Sequence, residues 1–198
     1  MQDEFERSGR CPWCGDDPLY VAYHDTEWGR PVQDPRDLWE ALMLEAFQAG
    51  LSWITILRRR ETFRVAFAGF DPAIVATWQE DDITRLLADP GIIRHRGKIL
   101  ATITGAQAYL RLEGQGGFAP FLWRHVGGQS LQPDRESMAQ VPGHSPQAQA
   151  LSKALKAEGF KFVGPTICYA FMQAVGMVND HLVTCPQHSA VQASALNG

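Results

Sequence analysis

Residues 38–53, LWEALMLEAFQAGLSW, set a carboxylate among residues that a helix would bury. At 3.6 residues per turn Leu38, Leu42, Glu45 and Ala49 fall on one narrow arc, with Trp39 and Ala46 at its edge. The start is marked by Asp34 as an N-cap, Pro35 at the first helical position and Asp37 in the positively polarised first turn; Gly50 suits the stop. An ionised carboxylate on that face is costly unless a cation or donors meet it. Glu45 therefore either pairs internally or lines a cavity. Trp53, a short turn further on, offers a plane against which a flat, amine-bearing ligand can lie, or else it is plain core.

Outward from this helix, 198 residues with 45% hydrophobic and 20% charged content suffice for one sizeable core or two small lobes around a cleft. A formal charge of −4 excludes a generally basic surface, so a nucleic-acid partner has to be held by local patches. No apolar run is long enough to cross a membrane, and MQDEFERSGR is neither a signal nor a transit peptide. A cytoplasmic protein with no membrane partner is expected.

Helical patterns recur along the chain. A second helix is expected over about Ser52–Ala68, with Trp53, Ile56, Phe63 and Phe67 inward and Arg58, Arg59, Arg60 and Arg64 toward solvent. Further helices are expected after Asp71-Pro72, at Glu80–Ala88, Ile99–Leu112 and Phe118–Val126, from Ser145-Pro146 to Lys156, and at Thr166–Val175. Residues 127–147 read as an unusually long polar loop punctuated by proline and glycine. No period-two alternation persists long enough for a strand, so the fold class is all-α. Residues 1–10 are expected to be a mobile tail, 11–185 a single domain of two helical lobes, and 186–198 a disordered tail.

Cys11 and His24 near the start, with His181 and Cys185 near the end, make a two-plus-two set of the ligands a tetrahedral zinc prefers. Such a site would staple the termini together. Cys11 also forms a C-x-x-C with Cys14, and unremarkable thiols and histidines remain the alternative at this stage. Cys168, in the apolar TICYAFM run, reads as core. The turn FKFVGPT between two helices can hold a phosphate at Gly164 and the following helix N-terminus, with Lys153, Lys156 and Lys161 nearby. Arg94, Arg96 and Lys98 form a second basic group. An ordinary helical hairpin with a solvated charge run has the same pattern.

The blocks DPLYVAYHDTEWG, QAGLSWITILRRRE, GIIRHRGKI and ALSKALKAEGFKFVGPTICYAFMQAVGMVNDH closely resemble bacterial 3-methyladenine DNA glycosylase I, the constitutive Tag family. The resemblance runs from Cys11 to Cys185. It implies a helix-hairpin-helix DNA glycosylase fold and excision of 3-methyladenine from alkylated double-stranded DNA, with the free base as product. It further implies one structural zinc held by Cys11, His24, His181 and Cys185, and a base pocket lined by Glu45, Tyr23 and Trp53 with Trp13 as an aromatic wall. Glu45 is then the catalytic-site carboxylate, Leu51 lies by the DNA wedge, and Lys161 and Gly164 meet the DNA backbone. A monomer is expected. Two departures from the wider superfamily stand out. Val178-Asn179-Asp180-His181 replaces V-D-T-H, so the catalytic aspartate has no direct counterpart. Phe162 precedes Val163-Gly164, where the hairpin usually has a further glycine. The remaining alternatives are a non-catalytic, zinc-stabilised binder of damaged DNA, from which an assay for release of free base distinguishes the enzyme, and a thiol oxidoreductase at Cys11–Cys14, which lacks the expected βαβ context.

Overall fold

The structure, a computed structural model, describes residues 9–196 and is helical, with no named strand among them. After a 3-10 turn at Pro12–Cys14 the helices are α1 (Pro18–Thr26), α2 (Pro35–Gln48), α3 (Trp53–Leu57), α4 (Arg60–Ala66) and α5 (Pro72–Val75). They continue with α6 (Glu80–Ala88), α7 (Arg96–Glu113), α8 (Phe118–Trp123), α9 (Pro146–Ala157), α10 (Pro165–Ala174) and α11 (Pro186–Leu196). No described helix is long and apolar enough to cross a membrane.

The α2 start is as expected: the Asp34 carboxylate accepts from the N–H groups of Arg36 and Asp37, and Pro35 occupies the first turn. The helix is more deeply placed than a one-face pattern implies. Every residue from Leu42 to Phe47 is buried, because α7, α10 and α3 all pack on it. Its position at the centre of the core is what takes Glu45 out of water.

The expected helix over 52–68 is broken. Arg59 leaves helical geometry, at φ −107°, ψ 1°, and its guanidinium donates to the Thr55 carbonyl, closing α3 before α4 begins. The arginines also do not all face solvent. Arg60 forms an ion pair with Glu27, and Arg64 donates to Glu40, so α4 is tied to the end of α1 and to α2.

Residues 127–147 form a loop, as expected, but it is anchored. Leu131 and Val178 form a parallel bridge, as do Arg135 and Leu182. The Arg135 guanidinium donates to the buried Asp180 carboxylate at 3.1 Å.

The expected disordered tail after Cys185 is instead α11. Pro186 starts it, Val191 is fully buried, Gln187 accepts from Arg30, and the His188 carbonyl accepts from Asn179. Of the expected N-terminal tail, residues 1–8 lie outside the described residues, and Arg10 is held by two bonds to Asp25. Gly176, at φ 72°, lies so close to the Arg30–Pro31 backbone that a Cβ would fall 2.3 Å from the Arg30 carbonyl carbon. That approach seats the N-terminal segment against the end of α10.

Candidate functional site

Glu45 is 3% exposed and lines a cavity of about 320 Å³ together with Tyr23, Trp53 and Trp13. No ion pair reaches it among the described residues, and its Oε2 has no hydrogen-bond partner. The internal-pair alternative therefore does not hold. Burial alone raises its carboxyl from an ordinary 4.5 to about 8. The aromatic walls support one another: Tyr23 and Trp53 lie with ring centroids 5.5 Å apart, and Trp13 meets Tyr23 edge-on at 6.5 Å.

The polar atoms of this cavity are as informative as its rings. The indole N–H groups of Trp13 and Trp53, the Gln48 Oε1 and the Glu45 Oε2 are all buried without a hydrogen-bond partner, and all four residues line the cavity. Buried polar atoms are normally satisfied, so four unsatisfied ones on residues that line one cavity mark it as a place where polar groups are held without internal partners. Flat aromatic walls beside a buried acidic side chain are chemically suited to a planar ligand that carries positive charge.

Two lining features were not legible beforehand. Met138 and Val141 of the 127–147 loop form part of the lip. Asp180 has a wholly buried side chain that accepts from the Tyr169 hydroxyl at 2.5 Å and the Gln173 amide at 2.9 Å, besides Arg135. Asn179 faces elsewhere, its amide donating to Gln132 and to the His188 carbonyl. Asp180 thus borders the cavity as the anchor of Tyr169 and Gln173. Nothing in its local sequence marks that, since its arginine lies 45 residues away.

Cys11, His24, His181 and Cys185 converge, all buried, with one donor atom of each lying within 4.8 Å of the others. The fit to a metal ion is supported by the groups behind the histidines. His24 Nδ1 is 2.7 Å from Asp25, which leaves Nε2 toward Cys185 at 3.6 Å. His181 Nε2 is 3.0 Å from the Trp28 carbonyl, which leaves Nδ1 toward Cys11 and Cys185. Both imidazoles are thereby oriented as ligands. The hydrogen bond with Cys11, together with those to His181 and His24, holds the Cys185 thiol far below the ordinary thiol range. Cys14 is not part of the set; its thiol donates to the Cys11 carbonyl. Cys168 is fully buried near the Val163 carbonyl.

Of the residues expected at DNA, Leu51 is 42% exposed on the turn after α2, and Lys161 is exposed between α9 and α10. Gly164 precedes α10 with nothing within 4 Å of a Cβ placed there, so the approach is open. Phe162 takes the left-handed conformation, φ 57°, that glycine would adopt more easily. The second basic group is not a uniform patch. Arg96 pairs with Glu80, and Lys98 is buried.

A helical chain with an aromatic cavity of this size and an exposed turn between two packed helices has the features of a protein that holds a flat base. A family model described as methyladenine glycosylase matches residues 13–188, and the chain belongs to that family. It is 54% identical over 177 residues to DNA-3-methyladenine glycosylase 1 of Escherichia coli K12, covering 89% of this chain and 95% of the relative. It is 47% identical over 178 residues to DNA-3-methyladenine glycosylase of Haemophilus influenzae, covering 89% and 96%. Its structure is similar to that of 3-methyladenine DNA glycosylase I from Staphylococcus aureus, described for 3-methyladenine recognition, with a TM-score of 0.89 and 40% identity over 91% of this chain and 97% of that one.

The isolation of Glu45 has a measurable consequence for stability. Its folded-state pKa is raised, so its contribution is fully present below about 4.5 and is lost as pH rises through about 8. Glu45→Gln removes this dependence. Denaturant titrations should find the variant gaining on wild type with rising pH, by on the order of a few kcal/mol between pH 5 and 9. A variant markedly less stable at every pH would indicate a hidden ionic partner.

Proposed function

We propose that the protein is a monofunctional DNA N-glycosylase that hydrolyses the bond between 3-methyladenine and deoxyribose in alkylated double-stranded DNA. It releases the free base and leaves an abasic site. The observation that carries this reading is the buried, unpartnered Glu45 carboxylate in an aromatic cavity, in a chain of the methyladenine glycosylase family.

The methylated nucleotide is cationic, so breaking its bond to the sugar expels a neutral base, and water completes the reaction at the sugar carbon. The leaving group is activated by its own charge, which lowers the demand on a strong general acid. The residues act accordingly. Extrusion brings the base between Trp53 and the walls formed by Tyr23 and Trp13, where stacking contributes roughly 1–3 kcal/mol per base. Glu45 accepts a hydrogen bond from the exocyclic amine. The cationic ring also supplies the counter-charge that no described side chain provides, so the Glu45 proton held below about pH 8 passes to solvent water as the charged base enters. Leu51 fills the gap in the base stack, and Lys161 with the Gly164 turn grips a backbone phosphate.

The Cys11, His24, His181 and Cys185 set holds one structural zinc, an assignment supported by the two-thiol, two-imidazole donors and their oriented tautomers. Bound there, zinc supplies folding free energy and takes no part in the reaction. The protein works as a monomer in the cytoplasm. Its glycosylase domain begins at Cys11, and the docking of α11 extends it beyond Cys185.

The direct test is chromatography of bases released from methylated DNA. Free 3-methyladenine is the expected product, whereas tight binding without release would identify a non-catalytic binder. Elemental analysis should find about one zinc per chain. Cys185→Ser should lower zinc content and melting temperature together, and Cys14→Ser neither; the opposite pattern would overturn the ligand set. Lys161→Ala should weaken binding to any duplex and reduce the salt slope by about one. An unchanged slope would remove Lys161 from the interface.

A further inference from the structure

α2 ends at Gln48, and the last carbonyls of a helix lack partners within it. Here a side chain from a distant helix meets them. The Lys98 ammonium donates to the Phe47 carbonyl at 2.8 Å and the Ala49 carbonyl at 2.7 Å, and Lys98 is only 6% exposed. No carboxylate forms an ion pair with it among the described residues. A cation at the negative end of a helix is favourable, which offsets part of the cost of burying it. That burial lowers the Lys98 pKa below the ordinary lysine range.

The two clasped carbonyls flank Gln48, which lines the base cavity. Beyond Ala49 the chain reverses through Gly50 at φ 82°, and the Leu51 N–H donates back to the Gln48 carbonyl at 2.6 Å. One ammonium therefore fixes the segment that runs from the pocket to the exposed Leu51. The same nitrogen lies 5.9 Å from the Phe162 ring in the turn between α9 and α10. Lys98 stands where the end of α2, the start of α7 and that turn meet.

We propose that Lys98 is a positioning residue for base extrusion: by clasping Phe47 and Ala49 it holds the Gln48–Leu51 turn in the shape that presents the wedge. It does not serve as a phosphate contact, since its ammonium faces inward. This rests on the reading of Leu51 as the wedge.

The test compares kcat/KM for 3-methyladenine release from methylated duplex and methylated single strands, using wild type, Leu51→Ala and Lys98→Met. A wedge displaced by a fraction of an ångström should cost Lys98→Met about tenfold on duplex but under about twofold on single strands, with an unchanged salt slope. Lys98→Gln, which keeps a donor, should show the same bias more weakly and serves if the methionine variant does not fold. Equal losses on both substrates would reduce Lys98 to a stabilising residue, and a slope flatter by about one would make it a phosphate contact; either result overturns the proposal. A duplex bias in Leu51→Ala but not in the Lys98 variants rejects Lys98 alone. No bias in Leu51→Ala rejects the wedge reading itself.

Discussion

The desolvation of one carboxylate is the constraint on which this structure depends. Glu45 occupies a helix position that packing makes dry, and no cation among the described residues comes to meet it. An arrangement of that kind costs free energy in the empty protein and recovers it only when something positive enters. The surroundings are consistent with that demand. α2 is enclosed by α3, α7 and α10 so that Glu45 cannot turn to solvent, and the walls beside it are aromatic rings that tolerate a flat cation. Trp13, Trp53 and Gln48, which line the same cavity, each also hold a buried polar atom without a hydrogen-bond partner.

The cysteine and histidine cluster is mechanically part of the same pocket. Trp13 stands 5.3 Å from the His24 ring and 4.8 Å from Trp28, whose own ring lies 4.6 Å from His181. The indole that walls the cavity is thus backed by residues packed on the Cys11, His24, His181 and Cys185 cluster. Arg10 through Asp25 and His24, and α11 through Asn179, brace that set from the two ends of the chain.

Much of this was legible in the sequence because local rules and tertiary packing agree. The capped start of α2, the glycine at its end and the anomalous glutamate follow from periodicity and capping. Cys11, His24, His181 and Cys185 are suggested by residue type and placement, with ordinary thiols and histidines as the alternative until the fold brings them together. The unforeseen parts are those where a distant partner overrides the local pattern. The helix expected over 52–68 breaks because the Arg59 side chain competes for a carbonyl of α3. Lys98 looks like a member of a basic surface group, and only the arrival of the α2 terminus 51 residues earlier turns it inward. The polar run after Cys185 lacks an amphipathic stripe, yet it docks as a helix through a few specific bonds and Val191. Asp180 acquires its role from Tyr169, Gln173 and Arg135, a grouping made by the bridges between the long loop and residues 178–182.

The central claim is that the charge of Glu45, rather than its shape, recognises the cationic base. The most direct measurement is single-turnover excision of 3-methyladenine by wild type and Glu45→Gln, with binding of each to undamaged duplex measured alongside. The charge account predicts a large loss of excision and of affinity for the methylated site, with undamaged duplex bound equally by both, because phosphate contacts supply that affinity. A folded Glu45→Gln protein that excises the base at the wild-type rate would contradict it.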